Sequence, residues 1–186
     1  MDLEEILLDA EERMEKAVEF FGRELDTVRT GRANTALVEG LKVDYYGTKT
    51  SIRELCALSV PEPRLIVIRP FDPGSLQEVE KAVLKSDLGI APMNDGKLLR
   101  LVIPPLTEET RKQLATRLKE MSEEAKTAVR NVRRDANKGI DAAQKDGGAP
   151  EDDAYKAKDD VQDLVKGYEG KIDELLGKKT EEVMEV

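Results

Sequence analysis

The chain has 186 residues, a formal net charge of −9, 37% charged and 39% hydrophobic side chains, and only 4% aromatics with no Trp. That length accommodates one or two domains with real cores, and the charge-rich, aromatic-poor profile favours long amphipathic helices over an all-β fold. With no His, a Cys–His or Ser–His catalytic pair and every His-ligated metal site are excluded, and the single Cys56 excludes an intrachain disulfide.

Met1-Asp2-Leu3-Glu4-Glu5 has neither a basic n-region nor an apolar h-region, and no apolar run approaches the roughly 20 residues of a membrane span. A cytoplasmic protein without membrane contact is expected. Leu3, Leu7, Ala10, Met14, Ala17, Phe21, Leu25 and Val28 step by four and three, which predicts one long helix ending near Arg29, before Thr30-Gly31.

From there to Pro105 the pattern changes to short β-type runs at Leu41–Tyr46, Leu55–Val60, Arg64–Arg69 and Leu98–Ile103. Cys56 sits in one of them as a small core residue. Pro61-Glu62-Pro63 separates two runs, and Asn94-Asp95-Gly96 precedes the last with hairpin chemistry. Asp72-Pro73-Gly74 leads into Ser75-Leu76-Gln77-Glu78, a capping-box pattern that starts a helix running to about Ser86, with Gly89 just past its end. Residues 31–104 thus read as a small inserted β/α/β domain.

Pro104-Pro105 closes the insertion. Thr107 is a fair N-cap, and Glu108 and Glu109 complement the helix dipole. Leu114, Leu118, Met121, Ala125, Val129, Val132, Ala136, Ile140 and Ala143 then hold the clearest helical period in the chain, until Gly147-Gly148-Ala149-Pro150. The stretch spans on the order of 58 Å. A third stripe follows at Ala157, Val161, Leu164, Tyr168, Ile172, Leu175 and Val183, in a helix that Gly167, Gly170 and Gly177 weaken by about 1 kcal/mol each.

Three long helices with narrow stripes bury them most economically in a three-helix bundle, formed by residues 1–30 and 105–186. The short loop at Gly147–Pro150 favours an intramolecular antiparallel turn over an extended coiled-coil dimer, so a monomer is expected. The fold class is α+β, and the two crossings at Thr30-Gly31 and Pro104-Pro105 form a natural hinge pair.

Charge is unevenly spread. Residues 1–29 carry net −6, 30–106 net +1, 107–145 net +3 and 146–186 net −7. On the basic helix Lys126, Arg130, Arg133, Arg134 and Asn137 share a face, expected to be exposed and opposite the Val129/Val132 stripe. No acidic residue lies between Lys126 and Arg134, and Asp135 stands ready to orient Arg134. A solvated helix face is the plain alternative. Three arginines in five positions argue against it, because a guanidinium offers a planar fork of donors to phosphate. The pattern suits RNA better than DNA, since helix-turn-helix, zinc and basic-zipper patterns are missing. On these residues alone a protein partner remains open.

The chain contains neither G-x-x-x-x-G-K-[S/T] nor G-x-G-x-x-G, which argues against nucleotide hydrolysis, and no cofactor is expected. The acidic pairs Asp152-Asp153 and Asp159-Asp160 read as helix-start capping and solubility rather than metal ligands. Of Tyr45-Tyr46, one is expected to face the core and at most one to be free for base stacking.

The run Ala128-Val129-Arg130-Asn131-Val132-Arg133-Arg134-Asp135-Ala136-Asn137 resembles the signature of bacterial ribosome recycling factors. Arg29-Thr30-Gly31-Arg32-Ala33, Tyr45-Tyr46-Gly47, Ser86-Asp87-Leu88-Gly89, Pro104-Pro105-Leu106-Thr107-Glu108-Glu109 and Asp159-Asp160-Val161-Gln162 match in family order. Ala91-Pro92, where many members have Asn-Pro, and Thr110, where a basic residue is common, depart from it.

The resemblance implies an L-shaped, two-domain protein, not an enzyme, that binds the post-termination ribosome mainly through large-subunit rRNA. It implies joint action with the GTPase elongation factor G to split the subunits and free mRNA and tRNA. By the same resemblance Arg130, Arg133 and Arg134 fall on ribosome-contacting positions, Arg133 foremost. Arg29 and Arg32 become further rRNA contacts or hinge-side supports.

Overall fold

In the computed structural model residues 2–185 are described; Met1 and Val186, the ends of the expected bundle, lie outside them. The elements in chain order are α1 (Leu3–Thr27), α2 (Ala36–Glu39), β1 (Lys42–Tyr45), β2 (Thr48–Ser51), α3 (Ile52–Leu55), β3 (Cys56–Glu62) and β4 (Leu65–Pro70). They continue with α4 (Leu76–Lys85), β5 (Met93–Asn94), β6 (Leu99–Val102), α5 (Glu108–Lys145) and α6 (Glu151–Met184). The chain divides into two compact units, one up to Leu25 and from Lys112 onward, the other Asp26–Arg111. The expected crossings at Thr30-Gly31 and Pro104-Pro105 therefore both fall within the second unit, because the ends of α1 and α5 belong to it.

The first unit is the bundle of α1, α5 and α6. Arg13 of α1 pairs with Asp135 of α5, and a Cβ on Gly139 would lie 3.4 Å from Ile6, so α1 and α5 run antiparallel. Lys126 meets Asp173, and Asp141 meets Lys158, so α5 and α6 are antiparallel too. The turn between them is a Schellman motif: Gly147 has φ of +73°, its N–H bonds Gln144, and the Gly148 N–H bonds Ala143. Thr107 caps α5 as expected, its Oγ1 accepting from the Thr110 N–H at 3.2 Å.

Ile6, Ala10, Met14, Phe21 and Leu25 are buried from α1, Leu118, Val129, Val132, Ala136 and Ile140 from α5, and Val161, Val165, Tyr168 and Ile172 from α6. Here the expected stripes shift. Ile6 and Val165 occupy the core, whereas Leu7 and Leu164, the residues that the four-and-three step selects, are only half-buried.

In the second unit a four-stranded antiparallel sheet, ordered β3-β4-β6-β5, packs its apolar face with α4. Ile66 and Ile68 of β4 and Leu99 and Leu101 of β6 alternate inward, as half-buried strands require. Cys56 is buried beside them, and burial pushes its thiol up to about 11.

Several expectations change at this level. Pro61 is not in a turn: β3 runs to Glu62, and Pro61 sits where the register shifts between Ser59 and Glu62. An edge strand with a bulge tolerates a residue that lacks an N–H. Asp72 caps the 3-10 turn Pro73–Ser75 that leads into α4, its carboxylate accepting from the Gly74 N–H at 2.9 Å, while Ser75 makes no side-chain cap for α4 itself. β1 and β2 form a hairpin whose two turn residues, Tyr46 and Gly47, both have positive φ, the geometry of a primed turn. Tyr46 is consequently 84% exposed in that turn, and Tyr45 is half-buried with its hydroxyl 3.2 Å from Asp72.

Candidate nucleic-acid interface

α5 carries the candidate site because its apolar period fixes which residues face the bundle. At about 100° per residue, Lys126, Arg130, Arg133 and Asn137 lie about 55–115° from the centre of the Val129/Val132/Ala136/Ile140 stripe, while Arg134 lies about 155° from it. The first four flank the core rather than oppose it, and only Arg134 points away from it. That rotation corrects the expected placement of these four, and it sets Lys126, Arg130 and Arg133 along the seam with α6.

Each cation meets a different environment there. The Lys126 ammonium is 2.7 Å from Asp173 and 3.9 Å from Glu123, and its side chain is only 15% exposed. Arg130 donates through Nε to Glu169 at 2.8 Å. Arg133 is half-buried, not exposed as expected, and its Nη1 donates to Gln162 Oε1 at 3.0 Å. Arg134 is exposed and, among the described residues, has neither an acidic nor a hydrogen-bonding partner. Asp135 does not orient it: that carboxylate turns to α1, where Arg13 Nη2 lies 2.8 Å away and holds its pKa below the ordinary aspartate value. Asn137 is half-buried with an unpartnered, buried Oδ1, so its carbonyl oxygen does not face outward.

The second unit holds the other two candidates. Arg29 donates through Nη1 to the Leu88 carbonyl, which ties the end of the first helix to the loop after α4 and supports a structural role. Arg32 is exposed. Nearby Thr30 is buried, and Gly31 has φ of +77° with a would-be Cβ 3.4 Å from Leu106. Pro104 and Pro105 are exposed.

Sequence reasoning missed the α6 side of the seam. Gln162, Glu169 and Asp173 step by seven and four, one helical face of α6, and that spacing was the available signal. The arrangement can present to an anionic backbone four cations: Lys126 and Arg130 screened by carboxylates, Arg133 held by a neutral amide, and Arg134 unscreened. Among the described residues no group of acidic or Cys side chains is arranged to hold a metal ion, and no helix is long and apolar enough to cross a membrane.

Comparison with known proteins bears on the same chain. The family model for ribosome recycling factor matches residues 21–184. The ribosome-recycling factor of Nitratidesulfovibrio vulgaris is 52% identical over 186 residues, covering all of both chains, and that of Geobacillus thermodenitrificans is 51% identical over 182 residues, covering 98% of each. A solution structure of the ribosome recycling factor superposes with a TM-score of 0.81 at 41% identity, over 100% of this chain and 99% of that one. The second structure comes from models of the T. thermophilus ribosome recycling factor and the E. coli elongation factor G bound to the E. coli post-termination complex. It matches with a TM-score of 0.70 at 36% identity over the whole of both chains. The chain belongs to the ribosome recycling factor family.

Proposed function

We propose that this chain binds the post-termination ribosome and, with the GTPase elongation factor G, separates the subunits and releases mRNA and tRNA. The observation that carries the reading is the match over the full chain to recycling factors, one of them described on that complex with elongation factor G. Its anchor is large-subunit rRNA, held by Arg133 and Arg134 with Arg130 and Lys126 behind them. The unscreened Arg134 and the fixed guanidinium of Arg133 support that placement.

The chain acts as a cytoplasmic monomer that binds and bends, while its partner hydrolyses GTP. The segments around Thr30-Gly31 and Pro104-Pro105 supply the bend. Arg32 reaches rRNA and Arg29 braces the hinge side. The test is subunit splitting, followed by light scattering on post-termination ribosomes with elongation factor G and GTP. Splitting should need all three components. Splitting that proceeds equally without the chain sinks the reading.

A further inference from the structure

A second seam of the bundle, between α1 and α6, holds a groove of about 710 Å³. It exists because the packing buries Ile6 and Val165 and leaves their neighbours Leu7 and Leu164 half-buried at its floor. Leu8 forms one wall and is 68% exposed. The rim carries Glu4, Glu11, Asp160 and Asp163, against the single lining cation Lys171. That ammonium sits 4.3 Å from the ring centre of Tyr168, so the groove's aromatic already accepts a cation. Asp163 pairs with Lys166 at 2.9 Å, but both side chains are well exposed, and such a pair exchanges readily with a competing cation.

Gly167 keeps the groove open. It lines the groove in the middle of α6, where a Cβ would meet nothing within 4 Å, as is also true of Gly170 and Gly177 farther along the helix. A helical glycine is destabilising relative to Ala, and no packing inside the chain requires this one. Its bare backbone leaves room there for another chain to approach closely.

We infer that this groove docks a lysine- or arginine-rich polypeptide segment with spaced apolar side chains. Those side chains lie on Leu7, Leu8 and Leu164, the cations meet the four rim carboxylates, and the segment's backbone crosses Gly167. The rim repels a polyanion, so RNA is not the occupant. The groove shares no residue with the arginine edge of α5, and either can fail without the other.

The experiment is fluorescence anisotropy of the full chain with a labelled amphipathic peptide of Leu and Lys, and with the same peptide carrying Glu for Lys. Saturable binding is expected for the first alone. Asp160→Lys with Asp163→Lys should weaken it by about tenfold or more, whereas Glu120→Lys with Glu124→Lys, exposed on α5, should change it by less than about twofold. Leu8→Ser should weaken it by about fivefold or more. Gly167→Ala should raise Tm by about 2–4 °C yet weaken the peptide.

Equal losses from the two charge reversals would reduce the groove to a diffuse acidic surface and overturn the inference. So would affinities untouched by Leu8→Ser and Gly167→Ala, or a dimer in sedimentation equilibrium that Leu8→Ser dissociates.

Discussion

Arg133 donates through Nη1 to Oε1 of Gln162 at 3.0 Å, tying the middle of α5 to α6. A guanidinium held in this way loses less side-chain entropy when its remaining N–H groups meet a phosphate. Arg133→Ala should lower affinity for the large ribosomal subunit by about tenfold or more. Stability should fall by only about 1 kcal/mol, because one hydrogen bond is lost at a half-buried site. Pelleting and chemical denaturation measure the two effects. Unchanged affinity would remove Arg133 from the interface.

Gln162 is a positioning residue, neutral and on the far helix. Gln162→Ala leaves every charge in place but releases the Arg133 side chain. Subunit affinity should drop about threefold with the salt dependence unaltered, since the number of cations meeting phosphate stays the same. A change in Tm alone, with affinity intact, would leave Gln162 a purely structural contact.

How far the sequence discloses this site follows from what periodicity encodes. Residues 108–145 form the helix that the Thr107 cap, the Glu108-Glu109 turn and Gly147-Gly148 delimit, because caps and stripes are local signals. The angular position of Arg130 and Arg133 on α5 is equally local. Their partners are not: Glu169 and Asp173 come near only when α6 folds back, and nothing within α5 announces them. Leu7 and Leu164 mislead for a related reason, since adjacent Ile6 and Val165 satisfy the helical period as well and packing decides between them. The polar strand Thr48–Ser51 escapes notice because it lacks an apolar alternation and its turn begins with Tyr46 rather than Asn or Gly.

Gly31 lies in the segment expected to hinge, and its φ of +77° is a conformation that a Cβ strains. Gly31→Ala must also press on Leu106, which stands 3.4 Å from the new carbon. A loss of about 1–2 kcal/mol is expected from denaturant unfolding. Ribosome affinity should stay unchanged while splitting slows, if the segment bends during the reaction. Affinity and splitting that fall together would place Gly31 at the binding step instead.

Cys56 gives a pH dependence with a definite sign. Burial raises its thiol from 9.0 to about 11, so the folded chain holds the proton more tightly than the unfolded one. The contribution is fully present below pH 9.0 and is lost as pH rises toward about 11. Cys56→Ala removes that titration, although it also removes buried volume. Its stability relative to the parent chain should therefore improve steadily across this alkaline window, when lysine titration common to both is subtracted. A difference independent of pH would mean that the thiol ionises as it would in water.

The carboxylates facing Lys126 and Arg130 set how strongly the edge responds to salt. Asp173 and Glu169 already neutralise those two cations at 2.7 and 2.8 Å, which leaves Arg133 and Arg134 as the charges that displace counterions from rRNA. With about two phosphates neutralised, affinity should fall about tenfold between about 50 and 200 mM salt. Glu169→Gln combined with Asp173→Asn unmasks Arg130 and leaves Lys126 only its longer contact of 3.9 Å with the exposed Glu123. About four phosphates then count, and the same salt interval should cost about a hundredfold. The double variant must bind more tightly at low salt, and the two binding curves must converge as salt rises. Parallel curves would falsify the idea that α6 screens the arginine edge, because carboxylates that merely swing aside on binding leave the counterion count unchanged.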